Sequence, residues 1–121
     1  MAVDLAEKVR KILEEYSDDV DKAVDKAIRA VARKGVQELK SASSGSFGGT
    51  GKYASGWRSK MTGGRLNPTA TLYNATMPGL PHLLEHGHAK RGGGRVAGRV
   101  HIAPVEQDLI DFVEREIKGA L

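Results

Sequence analysis

His82-Leu83-Leu84-Glu85-His86 matches the H-x-x-E-H pattern, in which two histidines one helical turn apart hold zinc and the acid between them activates water. On a helix, both histidines would share a face. Hydrolytic zinc also needs a third protein ligand and an open coordination position inside a walled cleft. His88 and His101 are the remaining histidines, but Gly87 follows the motif at once and would end its helix after about two turns. The reading is therefore of partly buried polar histidines with no catalytic metal, and zinc-dependent hydrolysis at His82 and His86 stands as a rival.

A second candidate is the run from Lys90 to Arg99, where Lys90, Arg91, Arg95 and Arg99 are interleaved with Gly92-Gly93-Gly94. It lacks the Gly-Lys-Ser/Thr ending of a phosphate-binding loop and is not set between a strand and a helix. Four cations on a glycine loop can meet phosphates without reading sequence, so a nucleic-acid-binding module is another rival. Trp57, the one tryptophan, offers no platform for stacking single strands and is expected in the core. No Ser-His-Asp set, carboxylate pair or cofactor-binding motif is present, and the absence of cysteine removes thiolate metal sites and thiol nucleophiles.

Charge is unevenly placed. Residues 1–40 hold nine Lys/Arg and nine Asp/Glu; residues 41–104 hold eight Lys/Arg and one acid, Glu85; residues 105–121 hold two and five. The net charge of +4 thus comprises a middle of +7 and an end of −3, a division suited to an acidic partner or to complementary faces. Composition is 40% apolar and 28% charged, with no signal core near Met1, which predicts one globular, soluble domain of 121 residues.

The elements that would position these residues form an α+β chain. Val3 to Tyr16 has helical spacing through Leu5, Val9, Ile12, Leu13 and Tyr16. Ser17-Asp18-Asp19 offers caps, so a long helical arm over 1–40 is expected with a hinge at those residues. Its Ala- and Val-rich stripe suits close helix packing. Residues 41–52, rich in Ser and Gly, read as a flexible linker. The remainder, 53–121, reads as an antiparallel hairpin (Tyr53–Thr62 and Thr69–Thr76), a short helix ending at Gly87, a mobile basic loop over 88–99 and a short strand at Val100–Ala103. A last helix opened by Pro104 then packs on the sheet. Both glycine-rich segments are expected to be mobile in the free protein and ordered on assembly.

Three segments together resemble a known family. They are Thr50-Gly51-Lys52-Tyr53-Ala54-Ser55-Gly56-Trp57, Pro81-His82-Leu83-Leu84-Glu85-His86-Gly87-His88, and His101-Ile102-Ala103-Pro104-Val105. Their order and spacing over residues 1–118 resemble the small tail-completion, or head-to-tail joining, proteins of long-tailed double-stranded DNA phages and prophages. Thr50, Gly51, Tyr53, Ser55, Trp57, Glu85, Gly87 and Pro104 carry the likeness. Ser55 falls one place early, and His82, Leu83, Leu84 and His86 stand where aromatics are commoner. The resemblance implies a non-enzymatic virion protein without cofactors, assembled in the bacterial cytoplasm. It further implies a homo-oligomeric ring in the neck, with head connector and tail terminator or tail tube proteins as partners and passing DNA in non-specific contact. Lys90, Arg91, Arg95 and Arg99 would then line an interface or the DNA channel.

Overall fold

A computed structural model describes residues 5–47, 50–64 and 67–120. The fold is α+β. Helix α1 spans Leu5–Ser46, a one-turn helix α2 spans Lys52–Ser55, and strands β1 (Trp57–Thr62) and β2 (Thr69–Asn74) form an antiparallel hairpin. Helix α3 (Leu80–His86) leads into a second, very short hairpin of β3 (His88–Ala89) and β4 (Arg95–Val96). Helix α4 (Ala103–Ala120) closes the chain.

Helix α1 runs without interruption for 42 residues, about 63 Å at about 1.5 Å per residue. No hinge forms at Ser17–Asp19. The apolar stripe keeps phase from Tyr16 through Val20 and Ala23 to Ala27, and no glycine or proline intervenes. Cap-type side chains at exposed mid-helix positions cost only tenths of a kcal/mol, which propagation of the helix outweighs.

The helix also overruns the expected linker as far as Ser46. Ser43 is fully buried there, and its hydroxyl accepts the Trp57 indole N–H at 2.8 Å. The small side chains of 41–45 allow the hairpin to approach rather than loosening the chain. Gly48 and Gly49 of that expected linker, Arg65 and Leu66 of the β1–β2 turn, and Val3 at the start of the first helix lie outside the described residues.

Three strand expectations also change. The first is that β2 ends at Asn74 instead of Thr76, because the Asn74 side chain takes the Met77 N–H and turns the chain. Tyr53–Ser55 is a helical turn, entered from Gly51 in the left-handed region (φ 78°), and it points Tyr53 and Ala54 inward. The strand therefore starts at Trp57. Pairing of Trp57 with Asn74, Ser59 with Leu72 and Met61 with Ala70 puts one face toward α1, while Arg58, Lys60 and Tyr73 share the other. Val100–Ala103 is not a strand either, because its backbone N–H groups serve a side chain described below.

Leu39, Tyr53, Trp57 and Val105 form the buried centre, with Val36, Phe47, Leu72, Leu84, Ile102 and Leu109 packed around it. Helix α4 lies chiefly along α1. Buried Ala27, Ala32 and Gly35 let the elements approach closely, and a Cβ on Gly35 would meet Leu109 Cδ1 at 2.9 Å. Lys34 clips the two helices together: its ammonium lies 3.0 Å from Glu38, 3.9 Å from Asp108 and 5.2 Å from the centre of the Phe112 ring.

Candidate functional site

Glu85 is the one acid of the basic middle region, and α3 turns it inward. Its Oε1 accepts the backbone N–H groups of His101 (2.7 Å) and Ile102 (2.9 Å), and its Oε2 that of Ala103 (2.9 Å). These donors lie at the start of α4, where helical amides have no intrahelical partner. Glu85 thus caps α4 from 18 residues away in sequence and adds a negative charge at the positive end of that helix. Burial alone pushes its carboxyl up, but the three amides and the His101 imidazole outweigh burial and hold it below the usual range.

The His101 ring continues the network. Nδ1 faces two acceptors, Glu85 Oε1 at 3.0 Å and the Arg99 carbonyl at 2.9 Å, so it carries a proton. In the neutral ring Nε2 is then an acceptor and takes the Tyr53 O–H at 2.7 Å. Burial pushes the Tyr53 phenol up to about 12, opposed by a hydrogen bond with Ser43 and reinforced by the Glu85 charge. Acid, imidazole and hydroxyl stand in the order of a nucleophilic relay. Here the hydroxyl is a buried phenol of raised pKa and the acid is spent on backbone amides, so the arrangement joins elements together. Phe47 meets Tyr53 and His101 edge-on, with ring centres 5.7 and 4.7 Å apart.

His82 and His86 stand on the exposed face of α3, with ring centres 4.8 Å apart, while the Glu85 oxygens are taken by α4. Among the described residues no group of three or more His, Cys, Asp or Glu side chains is placed to hold a metal. The H-x-x-E-H spacing is therefore split between a surface pair and a buried cap.

The expected basic loop contains the β3–β4 hairpin. Its turn has Gly92, Gly93 and Gly94 at positive φ, and Lys90 N–H donates to the Gly94 carbonyl at 2.9 Å. Lys90, Arg91 and Arg95 are exposed around this turn. Arg99 differs from them: its guanidinium lies 6.0 Å from the centre of the Phe47 ring, and its backbone N–H donates to the Leu84 carbonyl at 2.7 Å.

Gly87 shows why the chain crosses here. It adopts φ 79°, and a Cβ at this position would strike the Val96 carbonyl oxygen and approach Gly98 N to 2.8 Å. Both obstacles are backbone and cannot swing aside. Gly87→Ala is expected to cost about 2–3 kcal/mol through strain and displacement of the hairpin, measured as a fall in chemical-denaturation midpoint.

Two members of the network carried no sequence signal strong enough to single them out. Ser43 sits in a Ser-rich stretch that reads as loop. Asn74 ends β2, donates to the Tyr53 carbonyl at 2.7 Å and accepts the Met77 N–H at 2.9 Å. An asparagine closing a strand before a turn is the only hint of its role.

Tyr53, Trp57, Glu85 and Gly87 thus converge on one junction of α1, α3 and α4, and the segments that carry the resemblance are parts of one packing unit. A family model described as "Bacteriophage HK97-gp10, putative tail-component" matches residues 7–87. The chain belongs to this HK97-gp10 family. It is a family of phage tail components, structural proteins of the virion. The match runs from α1 to Gly87 and stops before the basic hairpin, so His101 and Pro104 lie beyond it. No curated protein and no solved structure matches the chain. Among the described residues no helix is long and apolar enough to cross a membrane.

Proposed function

We infer that the chain acts as a single domain and completes the tail of a long-tailed phage, joining head to tail as a non-enzymatic ring in the neck. Membership of the HK97-gp10 family carries this reading. Leu5, Val9, Ile12, Leu13 and Tyr16 support it, because a stable chain that leaves a helical stripe of this size exposed has a protein surface to cover it. A closed ring uses two different faces of each subunit, and the division into a +7 middle and a −3 end suits that requirement. Its partners are further copies of itself, the head connector and the tail terminator or tail tube. Electron microscopy of lysates from a phage lacking this protein tests the reading. Filled heads and finished but unattached tails are expected, and normally joined particles would overturn it.

In this ring, Lys90, Arg91, Arg95 and Arg99 face the DNA path or a neighbouring subunit. Lys90, Arg91 and Arg95 surround an exposed turn, whereas Arg99 lies over Phe47, so the triple variant K90A/R91A/R95A separates assembly from folding. It is expected to melt within about 0.5 kcal/mol of the parent. Infectious titre is expected to fall, with the gap to the parent widest at low salt and narrowing as salt rises, because salt screens the charged contacts that only the parent retains. A variant that unfolds, or one that infects normally, would remove this role.

A further inference from the structure

We propose that His82 and His86 form a two-point chelate for an exchangeable divalent transition-metal ion of the Zn²⁺ and Ni²⁺ class. The proposal goes beyond the role in the tail and does not rest on it. The two histidines stand one turn apart on α3, both exposed, with ring centres 4.8 Å apart and planes tilted by 51°. Four-residue spacing on one helical face is how helices present paired imidazoles to zinc. The separation also fits. A metal lies about 2.0–2.1 Å from an imidazole nitrogen, hence about 3.2 Å from the ring centre. Two such rings stand about 4.5 Å apart when they meet the ion at a right angle, and about 5.2 Å apart at the tetrahedral angle. The observed 4.8 Å falls between the two.

The rings are available and the turn beneath them is held. Among the described residues the two rings contact each other and spend no nitrogen on a hydrogen bond. Glu85, between them, is fixed to the start of α4 by the N–H groups of His101, Ile102 and Ala103. The Leu84 carbonyl accepts the Arg99 N–H at 2.7 Å, and the Leu83 carbonyl accepts the Gly87 N–H at 2.8 Å. The His86 carbonyl accepts from the Arg95 guanidinium at 3.3 Å. An ion therefore meets two anchor points already set, and little more than side-chain rotation is given up on binding.

Chemistry selects the class of ion. Neutral imidazole suits Zn²⁺, Ni²⁺ and Cu²⁺, whereas Mg²⁺ and Ca²⁺ take oxygen ligands. Glu85 does not complete a hydrolytic site, since both its oxygens accept amides at the start of α4. Water fills the remaining positions, which keeps the ion exchangeable. The site also differs in charge from an acidic patch. Its ligands are neutral and Arg95 is nearby, so salt does not screen away its attraction for a cation.

The test titrates the tag-free full chain with Zn²⁺ by isothermal calorimetry. One ion per chain is expected, and Mg²⁺ is expected not to bind. His82→Ala and His86→Ala are each expected to weaken binding at least about tenfold, because a lone imidazole loses the effective concentration of the second. Both positions are exposed, so melting without metal is expected to match the parent. In excess Zn²⁺ the parent is expected to melt higher and the two variants are not. Raising sodium nitrate is expected to leave the parent's affinity undiminished. Affinity that survives both variants, or that fades as salt rises, marks adventitious binding at the acids of α1 and overturns the proposal. An equal loss in His88→Ala overturns it too, since the ion would then sit on a different set of side chains. A parent that binds no Zn²⁺ also rejects it, and leaves the role in the tail intact.

Discussion

Glu85→Ala is expected to destabilise the protein by about 3–5 kcal/mol. The substitution strips the acceptor from the N–H groups of His101, Ile102 and Ala103 together and leaves the His101 Nδ1 proton with only the Arg99 carbonyl. Removing one partner of a buried, charge-assisted network costs far more than one average hydrogen bond, because the remaining donors stay desolvated. Glu85→Gln keeps one carbonyl oxygen but brings an NH₂ against a donor, so it is expected to recover less than half of the loss.

The pH dependence separates this charged cap from a merely space-filling side chain. The folded pKa of Glu85 lies below its ordinary value of 4.5, so the carboxylate contributes stability that is fully present above 4.5 and lost as pH falls through the lower folded value. Denaturation midpoints of parent and Glu85→Gln are expected to differ by a constant amount near neutrality and to converge in acid. Parallel curves down to the lowest folded pH would show that the carboxylate charge is not what holds α4.

Trp57→Ala is expected to cost about 3–5 kcal/mol. The ring is 3% exposed, meets Tyr53 edge-on at 5.7 Å between centres, and spends its N–H on Ser43. Truncation leaves a cavity at the junction of α1 and β1 and a fully buried hydroxyl without its donor. Ser43→Ala removes only the acceptor and is expected to cost about 1–2 kcal/mol. Far-UV circular dichroism in denaturant measures both. If Trp57→Ala cost no more than Ser43→Ala, the packing of the ring would not be the main contribution.

The alternation of Trp57, Ser59 and Met61 against Arg58 and Lys60, the helical spacing from Leu5 to Leu39 and the Pro104-led closing helix were legible because each is a local periodicity, visible in the sequence whether its apolar face is covered, as at Leu39, or exposed, as at Leu5 to Tyr16. The α+β class follows from their order. Family membership was legible in the same stretch, since Tyr53, Trp57, Glu85 and Gly87 keep their spacing whatever they touch.

What went unread was long-range. Ser41–Ser46 has the composition of a linker, yet Trp57, 14 residues beyond Ser43, supplies the N–H that makes a buried serine worth keeping. Ser17–Asp19 has the composition of a helix boundary, yet its exposed positions allow an unbroken helix. Glu85 stood inside a metal-like spacing, and only the return of the chain at 101–103 turned it into the cap of α4. Spacing along the chain determined which residues share a face and a period. Tertiary structure alone decided which polar groups lose water, because desolvation depends on neighbours far apart in sequence, and the lost water is what made Ser43, Glu85 and His101 into a structural joint.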